Sequence, residues 1–236
     1  MLTTVLFDLD GTLLPMDQDV FLNDYLKRLG AKLALARGYD PKLLISAVWK
    51  GSMNVVNNDG SETNERVFWD SFCNIFGEKV LEDLPVFEEF YEKSFDDVAK
   101  VCGYNKRAGE IVELVKAIGL RVVLATNPVF PRIATHKRIR WAGLEPEDFE
   151  LVTTYENSTF CKPNTAYYSE IINKLGVKAE ECLMVGNDAD DDMAAHRVGM
   201  RVFLLTDCLI NKSGVDVSLY PHGGFDELEE YVKSLI

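Results

Sequence analysis

The chain has no long apolar run, no CxxC pair and no internal repeat, and it is short of positive charge. Its first strong apolar segment, residues 4–9, is far too short to span a bilayer. It also lacks the basic start and small-residue cleavage site of a signal peptide. No later run approaches a span either. The five cysteines, Cys73, Cys102, Cys161, Cys182 and Cys208, form no Cys/His cluster, which argues against a zinc site or a disulfide framework. An odd, scattered set reads as reduced thiols, and so as a cytoplasmic protein. Lys and Arg number 25 against 38 Asp and Glu, a formal net charge of −13. That balance argues against nucleic acid or an anionic membrane surface as the main partner.

What is present is a succession of short, continuous apolar runs. Residues 5–9, 121–126, 181–186 and 201–206 read as buried parallel strands, with 149–154 a weaker fifth. Helical patterns lie between them at 106–118, 130–141, 165–175 and 190–198. Alternation of this kind indicates βαβ units around a parallel sheet. Residues 17–100 break the alternation with helical candidates at 20–29, 41–50, 62–76 and 85–101 and a polar loop at 51–64. A block that long exceeds any single crossover, so it reads as an inserted helical domain over one end of the sheet.

Chemistry-bearing residues cluster where strands end. Asp8 and Asp10 follow the first strand, with Gly11 turning the chain, and two such carboxylates can divide attack from proton transfer. An ordinary Asp-Gly turn gives the same pattern. Thr126 and Asn127 end the second strand, where a hydroxyl and turn amides can hold phosphate oxygens, although Thr126 taken alone reads equally as a strand terminator. Lys162 precedes Pro163 and a helix start, a position that favours anions. Asp188, Asp190, Asp191 and Asp192 follow another strand and offer hard oxygens suited to Mg²⁺. Acids there also stabilise a helix start without metal, the role expected of Asp190 and Asp191. A basic run, Arg132, His136, Lys137, Arg138 and Arg140, could touch substrate but reads more readily as a solvated helix face.

Taken in order, DLDGT, LATN, CKP and the GND segment ending in Asp192 resemble the four signature motifs of the haloacid dehalogenase-like superfamily. The resemblance implies a Rossmann-like α/β core, residues 1–16 and 101–236, with an all-helical cap, residues 17–100. It makes Asp8 the phosphorylated nucleophile and Asp10 the general acid/base, whose backbone carbonyl also binds metal. Thr126, Asn127 and Lys162 would hold the phosphate. Mg²⁺ would be held by Asp8, Asp10 and Asp188, with Asp192 in support. Asn187 stands between Gly186 and Asp188, so the assignment follows the Asp188-to-Asp192 spacing, with Asp191 the alternative to Asp192.

The function implied is a Mg²⁺-dependent phosphatase acting on a small phosphorylated metabolite. A mutase returning phosphate to a sugar would use the same core. A dehalogenase would lack the second acid, which Asp10 supplies, and phosphonate cleavage would need a buried cap lysine such as Lys27 or Lys50. A non-catalytic phosphate-binding protein is the reading from another class. In each case a protein of charge −13 must build a local positive site for an anion, and Lys162 with helix N-termini would provide it.

Overall fold

A computed structural model describes residues 1–236. Strand β1 is Thr4–Phe7 and β2 is Arg121–Leu124. They are followed by β3 (Leu151–Val152), β4 (Cys182–Gly186), β5 (Arg201–Leu205) and β6 (His222–Gly223). All pair in parallel, in the order β3-β2-β1-β4-β5-β6. Every residue of β1 is buried, as expected for a strand covered on both faces. Val5 and Phe7 face one apolar layer with Val112 and Phe203, while Leu6 faces the other with Met184 and Tyr167.

Strand order reverses at β1, which pairs with β2 on one side and β4 on the other. Phe7 is level with both Leu124 and Val185. The three chain segments leaving these strands therefore emerge side by side, at the switch point where open α/β sheets bind ligands.

Between β1 and β2 stand α1 (Gln18–Arg37), α2 (Pro41–Val56), α3 (Asn64–Phe76) and α4 (Leu84–Lys93), with 3₁₀ segments Glu78–Asp83 and Phe95–Val101. This is the expected helical cap. Asp17, Asp40 and Thr63 cap the first three helices through side-chain acceptors. The core adds α5 (Lys106–Ala117), α6 (Arg132–Trp141), α7 (Thr165–Leu175) and α8 (Phe225–Ser234). No helix is long and apolar enough to cross a membrane.

Several expected elements differ in extent. Helix α2 continues through residues 51–56, the first part of the segment expected as a loop, because Val55 carries its buried stripe onward. Gly51 permits this: a Cβ there would come within 2.9 Å of the Phe68 ring on α3. The pattern expected as one helix over 85–101 breaks at Ser94, yet Phe90, Phe95 and Val98 are buried on both sides of the break, so the apolar spacing conceals it. The helix expected over 190–198 is a turn followed by a 3₁₀ segment, Met193–Val198. Here Asp188 Oδ1 accepts the amides of Asp190 and Asp191, a local bond that competes with helix formation.

The chain crosses between core and cap twice, side by side. Met16 and Cys102 form an antiparallel bridge, and the Gly103 amide donates to the Pro15 carbonyl at 2.7 Å. Away from these crossings, the start of α3 is bonded to core loops. The Asn64 and Glu65 amides donate to the Ser158 and Tyr155 carbonyls at 2.9 Å each, and Asn64 Nδ2 donates to the Pro128 carbonyl at 3.2 Å.

Candidate active site

One cavity of about 160 Å³ lies between sheet and cap, lined by Asp8, Asp10, Thr126, Asn127, Lys162, Asp188, Asp191 and Asp192 among others. The four motif segments thus converge, although up to 184 residues separate their ends (Asp8 and Asp192) in the chain.

Asp8 follows β1 directly, and its amide remains tied to the Val185 carbonyl at 2.9 Å. Its Oδ1 accepts from Lys162 Nζ at 2.8 Å, and its Oδ2 from the Thr12 hydroxyl at 3.3 Å. Lys162 is 2% exposed and also bonds Asp192 Oδ1 at 2.6 Å. Burial alone would lower the Lys162 pKa, but the Asp192 and Asp8 carboxylates outweigh it and hold the ammonium well above its usual value. The cation required by an acidic protein is therefore fixed at Asp8.

Asp192 uses both carboxylate oxygens inside the protein, since Oδ2 accepts the Asp188 amide at 2.9 Å. It orients Lys162 and the turn that carries Asp188. Asp188 accepts two amides on Oδ1, leaving Oδ2 for a ligand. Asp191, expected either to support a helix start or to take the place of Asp192 beside the metal, lines the cavity; burial and then the Asp188 charge push it up to about 6. Asn127 Nδ2 reaches it at 3.4 Å, while Asn127 Oδ1 accepts the Lys162 amide at 3.2 Å. The Thr126 carbonyl is held by Thr153 and Tyr167 hydroxyls at 2.7 and 2.9 Å. That anchoring fixes the strand end from which the Thr126 side chain lines the cavity.

The solvated-face reading of the basic run fails at Arg138. Its side chain is fully buried and forms an ion pair with Asp10 Oδ2. It also donates to the Thr135 hydroxyl at 3.3 Å and lies 4.4 Å from the Phe130 ring centroid. Asp10 Oδ1 and Arg138 Nε are buried without partners. Burial raises the Asp10 pKa, and Arg138 opposes that rise. A signal for Arg138 exists in the sequence: it lies four residues from both Ala134 and Ala142, which share its buried face. Arg132 and Arg140 are exposed as expected. Lys27 and Lys50 are exposed too, so neither offers the buried amine that phosphonate cleavage needs.

No three His, Cys, Asp or Glu side chains form a preassembled metal cage. Mg²⁺ does not require one, because it takes one or two carboxylates and completes its shell with water, carbonyl or substrate oxygens. The carboxylates of Asp8 and Asp188, with a carbonyl oxygen such as that of Asp10, make a donor set of that kind in residues that line one cavity.

A family model described as haloacid dehalogenase-like hydrolase matches residues 2–199. The chain is 27% identical to a phosphoglycolate phosphatase of Colwellia psychrerythraea, covering 98% of this chain and 96% of that one. It is 25% identical to a glyceraldehyde 3-phosphate phosphatase of Methanothermobacter thermautotrophicus, with 93% and 95% covered. It shares its fold with the hydrolase YfnB of Bacillus subtilis, solved bound to magnesium, at a TM-score of 0.56 and 16% identity over 98% of each chain. With the family match spanning most of its length, the chain belongs to the haloacid dehalogenase-like hydrolases.

Proposed function

We propose that the protein is a cytoplasmic, Mg²⁺-dependent phosphatase that hydrolyses a small phosphorylated metabolite through an aspartyl-phosphate on Asp8. Residues 17–100 serve as its cap and residues 1–16 and 101–236 as its catalytic core. The observation that carries this reading is the buried Lys162–Asp8 ion pair at 2.8 Å, opening into a cavity shared with Asp10 and Asp188. Unpaired thiols at all five cysteines accord with a reducing compartment.

An Asp8 carboxylate oxygen attacks phosphorus while Lys162 and the Thr126 hydroxyl take up charge on the phosphoryl oxygens. Asp10 gives its proton to the departing alkoxide, which leaves as the alcohol. The resulting Asp10 carboxylate then accepts a proton from water as that water attacks phosphorus. Phosphate departs and Asp8 is restored. Burial that raises Asp10 favours the protonated form needed first, and Arg138 limits that rise so that the proton can be lost. Asp8, Asp188 and the Asp10 carbonyl would hold Mg²⁺, which supplies charge neutralisation between the nucleophile and an anionic substrate. Asp192 holds Lys162 in place.

The test is Mg²⁺-dependent release of p-nitrophenol from p-nitrophenyl phosphate. Asp8→Asn should abolish it, and chelation should stop it reversibly. Undiminished turnover by the variant, or indifference to chelator, sinks the proposal.

A further inference from the structure

A second cavity of about 200 Å³ adjoins the catalytic one on its cap side. The two share Leu22, Asn127, Val129 and Phe130, so a ligand held at Asp8 can extend into the second space without leaving the protein. Fifteen of its 18 lining residues are hydrophobic, and none is Lys, Arg, His, Asp or Glu. Its walls come from α1, α2, α3 and α4 of the cap together with the core segment after β2; Leu26, Met53, Trp69 and Phe87 represent the four helices. Its polar atoms are neutral, and several already bond one another: Tyr25 and Tyr91 hydroxyls lie 2.7 Å apart, and Trp69 Nε1 donates to the Tyr155 hydroxyl at 3.4 Å.

We infer that this cavity receives the leaving group of the substrate, and that the substrate is a phosphate monoester of an uncharged, largely apolar alcohol about the size of a single ring. The inference rests on the phosphatase reading for the chemistry at Asp8, and it adds the class of alcohol. Size supports it, because an apolar cavity of about 150 Å³ is large enough to take up benzene. Charge supports it independently. The catalytic cavity has one cationic lining residue, Lys162, and that ammonium already serves Asp8 and Asp192. A carboxylate or second phosphate on the leaving group would be buried with no cation to meet it, which is strongly unfavourable. An uncharged ring loses little hydration and gains contact with the aromatic walls.

The experiment titrates the intact protein, in Mg²⁺, with three phosphonates and follows tryptophan fluorescence, since Trp49 and Trp69 line the cavity. Benzylphosphonate should bind about 10- to 100-fold tighter than methylphosphonate, the gain expected for burying one ring. Phosphonoacetate, which carries a carboxylate there, should bind no tighter than methylphosphonate. The half-exposed Met53→Lys places a cation at the rim without disturbing the core, and should narrow the gap between benzylphosphonate and phosphonoacetate about tenfold. Tightest binding of phosphonoacetate, or no gain from the ring, overturns the inference. Benzyl phosphate, 2-phosphoglycolate and methyl phosphate are then compared by kcat/KM. If none is hydrolysed while the binding order holds, the phosphatase reading falls and the apolar site stands. If esters are hydrolysed but 2-phosphoglycolate is preferred, the phosphatase reading stands and this inference falls.

Discussion

Replacing Arg138 with methionine removes the guanidinium paired with Asp10 while keeping an apolar side chain against Phe130. The Asp10 carboxylate then remains in a site where Arg138 is 1% and Asp10 19% exposed at the side chain. Breaking a buried ion pair from one side costs about 3–5 kcal/mol, and the water that reaches Asp10 points to the lower end, about 3 kcal/mol. For a chain of this length that is a fall in Tm of about 6–12 °C. Asp10→Asn should cost a comparable amount by stranding the guanidinium. The double variant should cost far less than the sum, with a coupling energy of about 2–3 kcal/mol. Urea denaturation of the four proteins without divalent cation measures all three quantities. The sign for activity follows from the same pair. Arg138 lowers the Asp10 pKa, so its loss raises it further and keeps the acid protonated to higher pH. The alkaline limb of the rate profile should therefore move upward. A cost for Arg138→Met below about 1 kcal/mol, additive with Asp10→Asn, would refute the claim that these two groups form one buried unit.

Lys162→Met should lower kcat by about 10²–10³-fold or more, as removal of a fixed charge stabiliser does, while far-ultraviolet circular dichroism reports whether the fold persists. Burial pushes the Cys102 and Cys182 thiols up to about 11 and Cys161 up to about 12. At pH 8 iodoacetamide should therefore label Cys73 and Cys208 first, and mass spectrometry showing Cys161 modified at the same rate would contradict the packing described. The same thiols and Tyr25, raised to about 12, have folded values above their unfolded ones. Their contribution to stability is complete below about pH 8.5 and is lost as pH climbs toward 11–12, so the urea midpoint should hold near neutrality and fall on the alkaline side.

The core strands were legible because parallel strands buried on both faces leave continuous apolar runs, as residues 182–186 do. Helix α7 has the predicted bounds since Asn164 caps its start and a left-handed Gly176 ends it. The convergence of Asp8, Asp10, Thr126, Lys162 and Asp188 on one cavity follows from the same strand ends. Arg138 was misread because composition marks arginine as a surface residue, while its helical phase marks it as buried. The turn at Asp188 depends on where one carboxylate oxygen points, which no periodicity records. The closing strand β6 and helix α8 leave little trace in the sequence: β6 has only two residues, and the α8 stripe is Phe225, Leu228 and Val232 on an otherwise acidic helix.

The two crossings beside Met16 and Cys102 join the helical insert to the core side by side, and the Asn64 and Glu65 bonds join it again at the start of α3. Those bonds come from amides at the start of a helix, which have no partner within it and which water can satisfy. Releasing each costs about 0.5–1.5 kcal/mol net, far less than separating the buried charges at Asp8. The insert is thus held in part by contacts that solvent can replace, whereas Asp8, Lys162 and Asp192 are joined by buried charge.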